Sequence, residues 1–333
     1  MAARATALNA RVKGLQFDFS NMFKGRIAAN DERKNLDRVM GRIPNALNAR
    51  DADFHYFTAA PEFSLWDRGT KRKYGRIFDR TWKVPVLRYA TGIEWDRDDE
   101  DDDLTNRMRP QMEDTIDKAI EIDFAAYFAI LTGTTSSQYL RSIPLAADGL
   151  SLFSAARTNY FPGTGNLING SGVSTPAQIV SDFIKVRSVF ARVRDDNGTL
   201  YHGMGRIQGG MTIIFNDVFM REFVQAFRAR NFTVNGGAED NVIVMQSSLF
   251  GQVTLWGTPR LTGRSWYAIL DKLPEKGIFA LERRDLGATP ETLLKNETNC
   301  SECAEYNVRR LQFRKRVGFG VSLPLGMIKV LNA

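Results

Sequence analysis

A mixed α+β fold is predicted by three observations on this 333-residue chain. Helical periodicity is concentrated in two stretches, 104–132 and 174–193, while short β-type apolar runs fill residues 211–319. No internal repeat relates these parts. The composition, 43% hydrophobic and 25% charged, supports a core of one large or two ordinary domains.

Residues 1–60 are rich in Asn, Arg and Ala with scattered aromatics, and helical spacing at Asp31–Gly41 puts Leu36, Val39 and Met40 on one face. An N-terminal arm packing on something else is expected. Residues 61–95 read as an extended β-hairpin loop, led in by Phe63–Trp66 and out by Thr81–Tyr89. Its glycine-marked tip carries Lys71, Arg72, Lys73 and Arg76. Pro85 demotes the outgoing strand to an edge or irregular one. Such a hairpin has little core of its own, so it is expected to lie on another subunit or a partner.

The run Asp96–Asp103 follows, seven acids and one base. Beyond it the clearest helix begins at Leu104, with Met108, Met112, Ile116, Ala119, Ile120, Tyr127, Ile130 and Leu131 on a 3.6-residue stripe and Gly133 closing it. At ~1.5 Å per residue this is a rod on the order of 40 Å, long enough for a structural spine, with acids where the helix dipole favours them. Residues 133–175 are turn-rich. A second helix opens at Ser174/Thr175 with Pro176 in its first turn and is closed by Asp195–Gly198. Met211–Phe215 reads as a buried strand feeding a helix from about Asp217 to Arg230. Val242–Met245, Val253–Trp256, Trp266–Leu270, Phe279–Arg283 and Tyr306–Phe319 are further strands.

The net charge of +7 hides segregation. Without Asp96–Asp103, 44 bases stand against 31 acids, concentrated in residues 1–50, 64–92 and 305–333. Mixed signs serve solubility better, so segregation points to complementary patches on neighbouring copies or to a face turned towards a polyanion. For the acidic run itself, an assembly contact through Asp98, Asp99, Asp101, Asp102 and Asp103 and a plain solvated turn both stay open. A calcium site ranks below them, because the ligand spacing and glycine of a cation loop are missing.

No phosphate loop or nucleophile elbow is present. Gly203–Gly209 precedes a strand instead of following one, which disqualifies it as a dinucleotide fingerprint. Cys300 and Cys303 have a C-x-x-C spacing, but only His55 and His202 could complete a zinc site, so two reduced, incidental cysteines are expected. No cofactor and no catalytic constellation emerges. The N-terminus lacks a secretory apolar core, and Ile120–Leu131 is too short to span a bilayer. A soluble protein made in a reducing cytoplasm is expected.

The order of elements, basic arm, β-excursion, acidic turn, spine helix, loop, helix and mixed sheet, resembles the major capsid proteins of tailed bacteriophages with the Hong Kong 97 fold. Asp148-Gly149-Leu150-Ser151-Leu152-Phe153-Ser154 is similar to the D-G-x-x-L-F-S signature after that family's spine helix. Asn166-Leu167-Ile168, the helix after Thr175-Pro176 and Asp195–Leu200 resemble its N-L, helix, D-x-x-G segment. Thr212–Phe215 looks like the strand opening its axial domain, and Gly92–Leu104 like the Mu-like head-subunit branch. One departure is plain: where the family often has His-Pro, this chain has Arg157-Thr158. The resemblance implies a structural, non-enzymatic subunit forming hexamers and pentamers of an icosahedral head around double-stranded DNA. It would be assembled in the host cytoplasm and kept in the virion, without membrane contact. Scaffold, portal and decoration proteins are further implied partners. It also implies a peripheral domain at 96–204, an axial domain at 205–305 and C-terminal strands at 306–333 returning to the peripheral domain. The hairpin tip would meet an acidic partner on a neighbour, Asp96–Asp103 being one candidate. An encapsulin-like compartment shell and a basic nucleic-acid-binding protein are the alternatives.

Overall fold

The computed structural model describes residues 21–26, 29–45, 51–57, 79–96, 108–134, 138–201, 209–228, 231–234, 237–240, 252–273, 275–283, 290–295 and 300–332. Helix α1 (Asp31–Val39) begins at Asn30, whose side chain accepts from the Arg33 N–H, and runs straight into strand β1 (Met40–Asn45). Strands β2 (Asp51–Phe57) and β3 (Asp79–Asp96) pair as the hairpin, ahead of the spine helix α2 (Met108–Thr132). After β4 (Leu167–Asn169) comes α3 (Pro176–Phe190), opened by a reciprocal capping box between Thr175 and Gln178. Then follow β5 (Met211–Asn216), α4 (Met220–Arg228), the short pair β6 (Asn231–Val234) and β7 (Gly237–Asp240), β8 (Val253–Thr258) and β9 (Trp266–Leu270). The chain closes with β10 (Ile278–Arg283), β11 (Glu291–Lys295), α5 (Ser301–Glu305), β12 (Val308–Val321) and β13 (Met327–Leu331).

Two sheets carry the fold. One has the order β1-β10-β12-β3-β2, with β11 also on β12; the other has the order β4-β13-β9-β5-β8. Side chains on alternate faces of the second sheet enter different cores. Met211, Ile213, Phe215, Trp266, Ala268 and Leu270 pack with α3 and α4, whereas Ile214, Trp256, Tyr267 and Ile269 pack with α2. Helix α2 meets Ile278, Ala280, Leu311, Phe313 and Val317 of the first sheet in that same core. The layers are therefore helices, sheet, spine helix, sheet. A sheet covered on both faces explains the continuous apolar runs of β5 and β9, which are buried along their whole apolar length.

The spine helix departs from a simple amphipathic stripe. In its first half exposed and buried residues alternate helically; in its second half residues 126–131 are all buried. Wedging between two sheets requires this, and it leaves Asp123 fully buried. Gly133, at φ 75°, ends the helix in the left-handed region.

Several expectations from sequence are redrawn. Residues 31–45 do not lie apart as an arm: Leu36, Val39 and Met40 join the central core and β1 pairs in parallel with β10. The inbound hairpin strand is Asp51–Phe57; Phe63–Trp66, like Val242–Met245, lies outside the described residues. The sheets divide the chain differently from the expected boundaries, since α3 and β13 belong with the five-stranded sheet and β10 and β11 with the other. The chain crosses between sheets at 271–277 and returns at 322–326, and local patterning carries no signal of such crossings. Cys300 and Cys303 are joined as a disulfide, correcting the expectation of two reduced cysteines. Cys300 caps α5 and its Sγ accepts from the Cys303 N–H, which brings the two sulfurs together in one helical turn.

Candidate assembly surface

The root of the hairpin is set by Pro85. Residues 79–85 of β3 pair only with β2, and residues 86–96 only with β12. Each half is thus an edge strand among the described residues, and the missing N–H of Pro85 falls at the change of partner. Glycine makes the crossing at the root. On the outer face of β12 a Cβ at Gly318 would stand 3.0 Å from the Pro85 carbonyl oxygen, and one at Gly320 would stand 2.5 Å from the Phe279 ring and 3.0 Å from Val84. Val84, Phe279 and Leu281 fill that space as a separate small core, with Ile43 and Val86 against it. Gly320→Val is expected to lower the stability of the subunit by about 1–3 kcal/mol through overpacking. Urea unfolding would measure this. Gly92→Ala, on the same outer face with nothing nearer than 3.4 Å, should leave the midpoint unchanged.

Beyond the root, the outer face carries charged cross-strand pairs. Arg310 of β12 donates to Glu94 of β3 (2.5 Å) and to Glu302 of α5 (2.7 Å), and Arg314 donates to Glu291 of β11 (2.6 Å). These pairs fix register more than stability, being exposed. At the hairpin end the pattern changes sign: Arg88 faces Arg316 directly across the strands.

On the inner face α1, β1, α2, β10 and β12 meet around Asp123. Its carboxylate accepts from Arg33 (Nη1, 2.6 Å), Lys315 (Nζ, 2.6 Å) and Arg42 (Nη2, 3.3 Å). Arg42 also contacts Asp37 (2.8 Å) and Glu282. Three cations and three anions are thereby balanced inside the subunit. Burial pushes the Lys315 ammonium below its ordinary range, opposed by Asp123, and burial likewise raises the Asp37 carboxyl.

The loop after the spine is held by Arg157. Its Nε and Nη2 grip Asp148 (2.6 and 3.0 Å), Nη1 donates to the Leu152 carbonyl (2.8 Å) and Asn166 Oδ1 (2.9 Å), and Nη2 also reaches the Ser151 carbonyl (2.9 Å). Burial would raise the Asp148 carboxyl, but the Arg157 hydrogen bonds and charge, with the Leu150 N–H, hold it below the usual carboxylate range. The D-G-x-x-L-F-S segment is therefore the wall of an arginine socket. Sequence reasoning registered Arg157 only as a departure; the acid nine residues before it was the signal that could have paired it.

The sequence-predicted contact residues fall at the two ends of β3. Lys71, Arg72, Lys73 and Arg76 belong to the stretch between Phe57 and Asp79, and Asp98, Asp99, Asp101, Asp102 and Asp103 to the stretch between Asp96 and Met108; both stretches lie outside the described residues. Among the described residues no group of three or more His, Cys, Asp or Glu is placed to hold a metal, and no helix is long and apolar enough to cross a membrane.

No family model and no curated protein matches the chain. Solved structures do. The capsid of Ralstonia phage GP4 aligns with a TM-score of 0.57 at 10% identity, over 88% of this chain and 86% of that one. The capsid of cyanophage P-SCSP1u aligns at 0.53 and 12% identity, over 89% and 86%. The capsid of an empty GTA particle aligns at 0.52 and 11% identity, over 89% of both chains. At such identities the likeness speaks for architecture, and it spans nearly the whole of each chain. This chain has the Hong Kong 97-type fold of phage capsid proteins.

Proposed function

We propose that the chain is a structural major capsid protein that assembles into hexamers and pentamers of an icosahedral phage head and is retained in the virion. The observation that carries this reading is the end-to-end likeness: the fold covers 89% of this chain and 86–89% of the capsid chains it resembles. The molecule has the mechanical features a shell needs. A ~37 Å spine is clamped between two sheets, and the paired strands β2 and β3 have a root packed on glycine. In this reading the five-stranded sheet with α3 and α4 is the axial unit, and the six-stranded sheet with α2 the peripheral one.

Packaged double-stranded DNA is the proposed content, met through non-specific phosphate contacts by part of the basic excess. Scaffold, portal and decoration proteins are proposed as further partners. Size-exclusion chromatography with negative-stain microscopy of the purified protein tests the shell: capsomers or closed particles are expected, and a stable monomer overturns the reading. Extraction of particles then separates a phage head, which yields DNA, from a compartment shell, which yields protein cargo.

The hairpin tip gives a sharper test. Replacing Lys71, Arg72, Lys73 and Arg76 together by Glu is expected to leave the subunit soluble and folded but unable to assemble. Normal particles from that variant in electron micrographs would show that the tip makes no required contact.

A further inference from the structure

The only two cysteines of the chain, Cys300 and Cys303, lie in one disulfide. The bridge joins residues three apart, too close to constrain much of the unfolded chain, so its effect is local to α5. A five-residue helix has no stability of its own. This one is held by the bridge across its first turn and by Arg310 of β12, which donates to Glu302. Arg310 also donates to Glu94 of β3. Just beyond α5, the side-chain amide of Asn307, whose backbone is left-handed at φ 54°, donates to Asp96 (3.4 Å). Helix α5 is therefore a clip on the paired ends of β3 and β12, and the disulfide sets its shape. The two sulfurs are unequally placed. Cys303 is fully buried and Cys300 half-buried at the N-cap, so a thiol from solution reaches Cys300 first.

We infer that Cys300 and Cys303 are a redox switch on this clip, opened by reduced glutathione and closed by glutathione disulfide. On closing, the Cys300 thiolate attacks glutathione disulfide, which forms a mixed disulfide and releases one glutathione thiolate. The Cys303 thiolate then attacks the Cys300 sulfur and releases the second. The pair loses two electrons and two protons, and glutathione disulfide takes them up to become two glutathione molecules. Opening is the reverse, begun by glutathione at Cys300. In the open state α5 loses the tie across its first turn and Glu302 its fixed place beside Arg310, while Glu94 still holds Arg310 to β3. Disulfides persist outside cells and are reduced in a thiol-rich cytoplasm. A shell subunit passes from one to the other, so the clip closes after the particle leaves its host. That timing rests on the shell reading; the switch itself does not.

The purified full-length chain tests the switch whatever its state of assembly. It is equilibrated, from both the oxidised and the reduced side, in glutathione buffers of graded ratio, then alkylated with N-ethylmaleimide and weighed. The expected result is a passage from two labelled thiols in excess reduced glutathione to none in excess glutathione disulfide. A chain that stays unlabelled in excess reduced glutathione has a fixed structural bridge, and one that stays doubly labelled in excess disulfide has none; either overturns the inference. Amide hydrogen exchange reads the consequence. The amides of Ala304 and Tyr306 donate to the Cys300 and Glu302 carbonyls, and they are expected to exchange about tenfold faster in the reduced chain, with residues 317–321 of β12 unchanged. Equal exchange in both states means that the bridge holds nothing, and the switch is then discarded. The variant Cys300→Ser, Cys303→Ala keeps a capping hydroxyl and a small apolar group in the buried place, and its exchange is expected to ignore the buffer. A variant that still follows the buffer puts the response outside the pair and overturns the assignment. Absence of particles overturns the shell reading alone, since none of these readouts depends on assembly.

Discussion

Asp123→Asn is expected to destabilise the subunit by about 3–5 kcal/mol, because it takes the carboxylate from buried Lys315 and leaves buried Arg33 with only the more exposed Asp37 at 3.3 Å. Asp123 is fully buried, and the two side chains closest to its carboxylate, Arg33 and Lys315, are 2% and 5% exposed. An amide of the same shape keeps the packing but cannot compensate two positive charges in a low-dielectric interior. The loss reaches α1, β1 and β12 together, since each supplies one cation to the same carboxylate. A fall in the urea midpoint of the isolated subunit measures it. Lys315→Met is the informative contrast. It removes one cation, leaves Asp123 held by Arg33 and Arg42, and replaces the buried stem with an adaptable apolar one, so it should cost less. The two variants also separate at alkaline pH. With the folded Lys315 pKa below its unfolded value near 10.4, the unfolded chain binds more protons in the interval between them. Wild-type stability therefore gains a rising contribution as pH climbs through that interval, and the Met variant lacks it. Equal midpoints for wild type and Asp123→Asn would mean that water, not the carboxylate, balances the cations.

The elements that local chemistry specifies were legible from the sequence. Thr175, Pro176 and Gln178 form the cap that opens α3, Gly133 turns left-handed at the end of α2, and Trp266–Leu270 is a strand buried on both faces. What the sequence hid depends on distant partners. Asp123 sits on a helix whose neighbours in sequence include exposed acids, and nothing local distinguishes it from Asp114 or Asp117; only Arg33 and Lys315, 90 and 192 residues away, do. Gly318 and Gly320 read as weak points in a strand until the hairpin root is seen against them. The five-residue run Met327–Leu331 carries no local sign of the sheet that β13 completes. The candidate site is legible in a different sense. Its charges are conspicuous in the sequence, whereas the hairpin root packed on glycine needs β3, β10 and β12 brought together.

Arg157→Ala is expected to cost a similar 3–5 kcal/mol at neutral pH, and here the pH dependence identifies the cause. All five guanidinium N–H groups are used, on one carboxylate, one side-chain amide oxygen and two backbone carbonyls. Truncation leaves the Asp148 carboxylate, itself only 10% exposed, without its partner, and leaves a void the size of a long side chain. Arg157→Lys should recover little, since a single ammonium cannot span a bidentate carboxylate and two carbonyls. The folded Asp148 pKa lies below its unfolded value near 3.9, so its contribution is present above that value and lost as pH falls through the folded pKa. The stability gap between wild type and Arg157→Ala should therefore be widest at neutral pH and narrow below about pH 4. A gap that stays constant into acid would assign the loss to packing alone. The damage should also spread along the chain. Asn166, which accepts from Arg157, donates to the Met327 carbonyl, and its own carbonyl accepts from the Lys329 N–H, so the socket supports the β4–β13 edge of the five-stranded sheet. In hydrogen exchange, the amides of Lys329 and Leu331 should lose protection in the variant before those of β5 and β9 at the centre of that sheet.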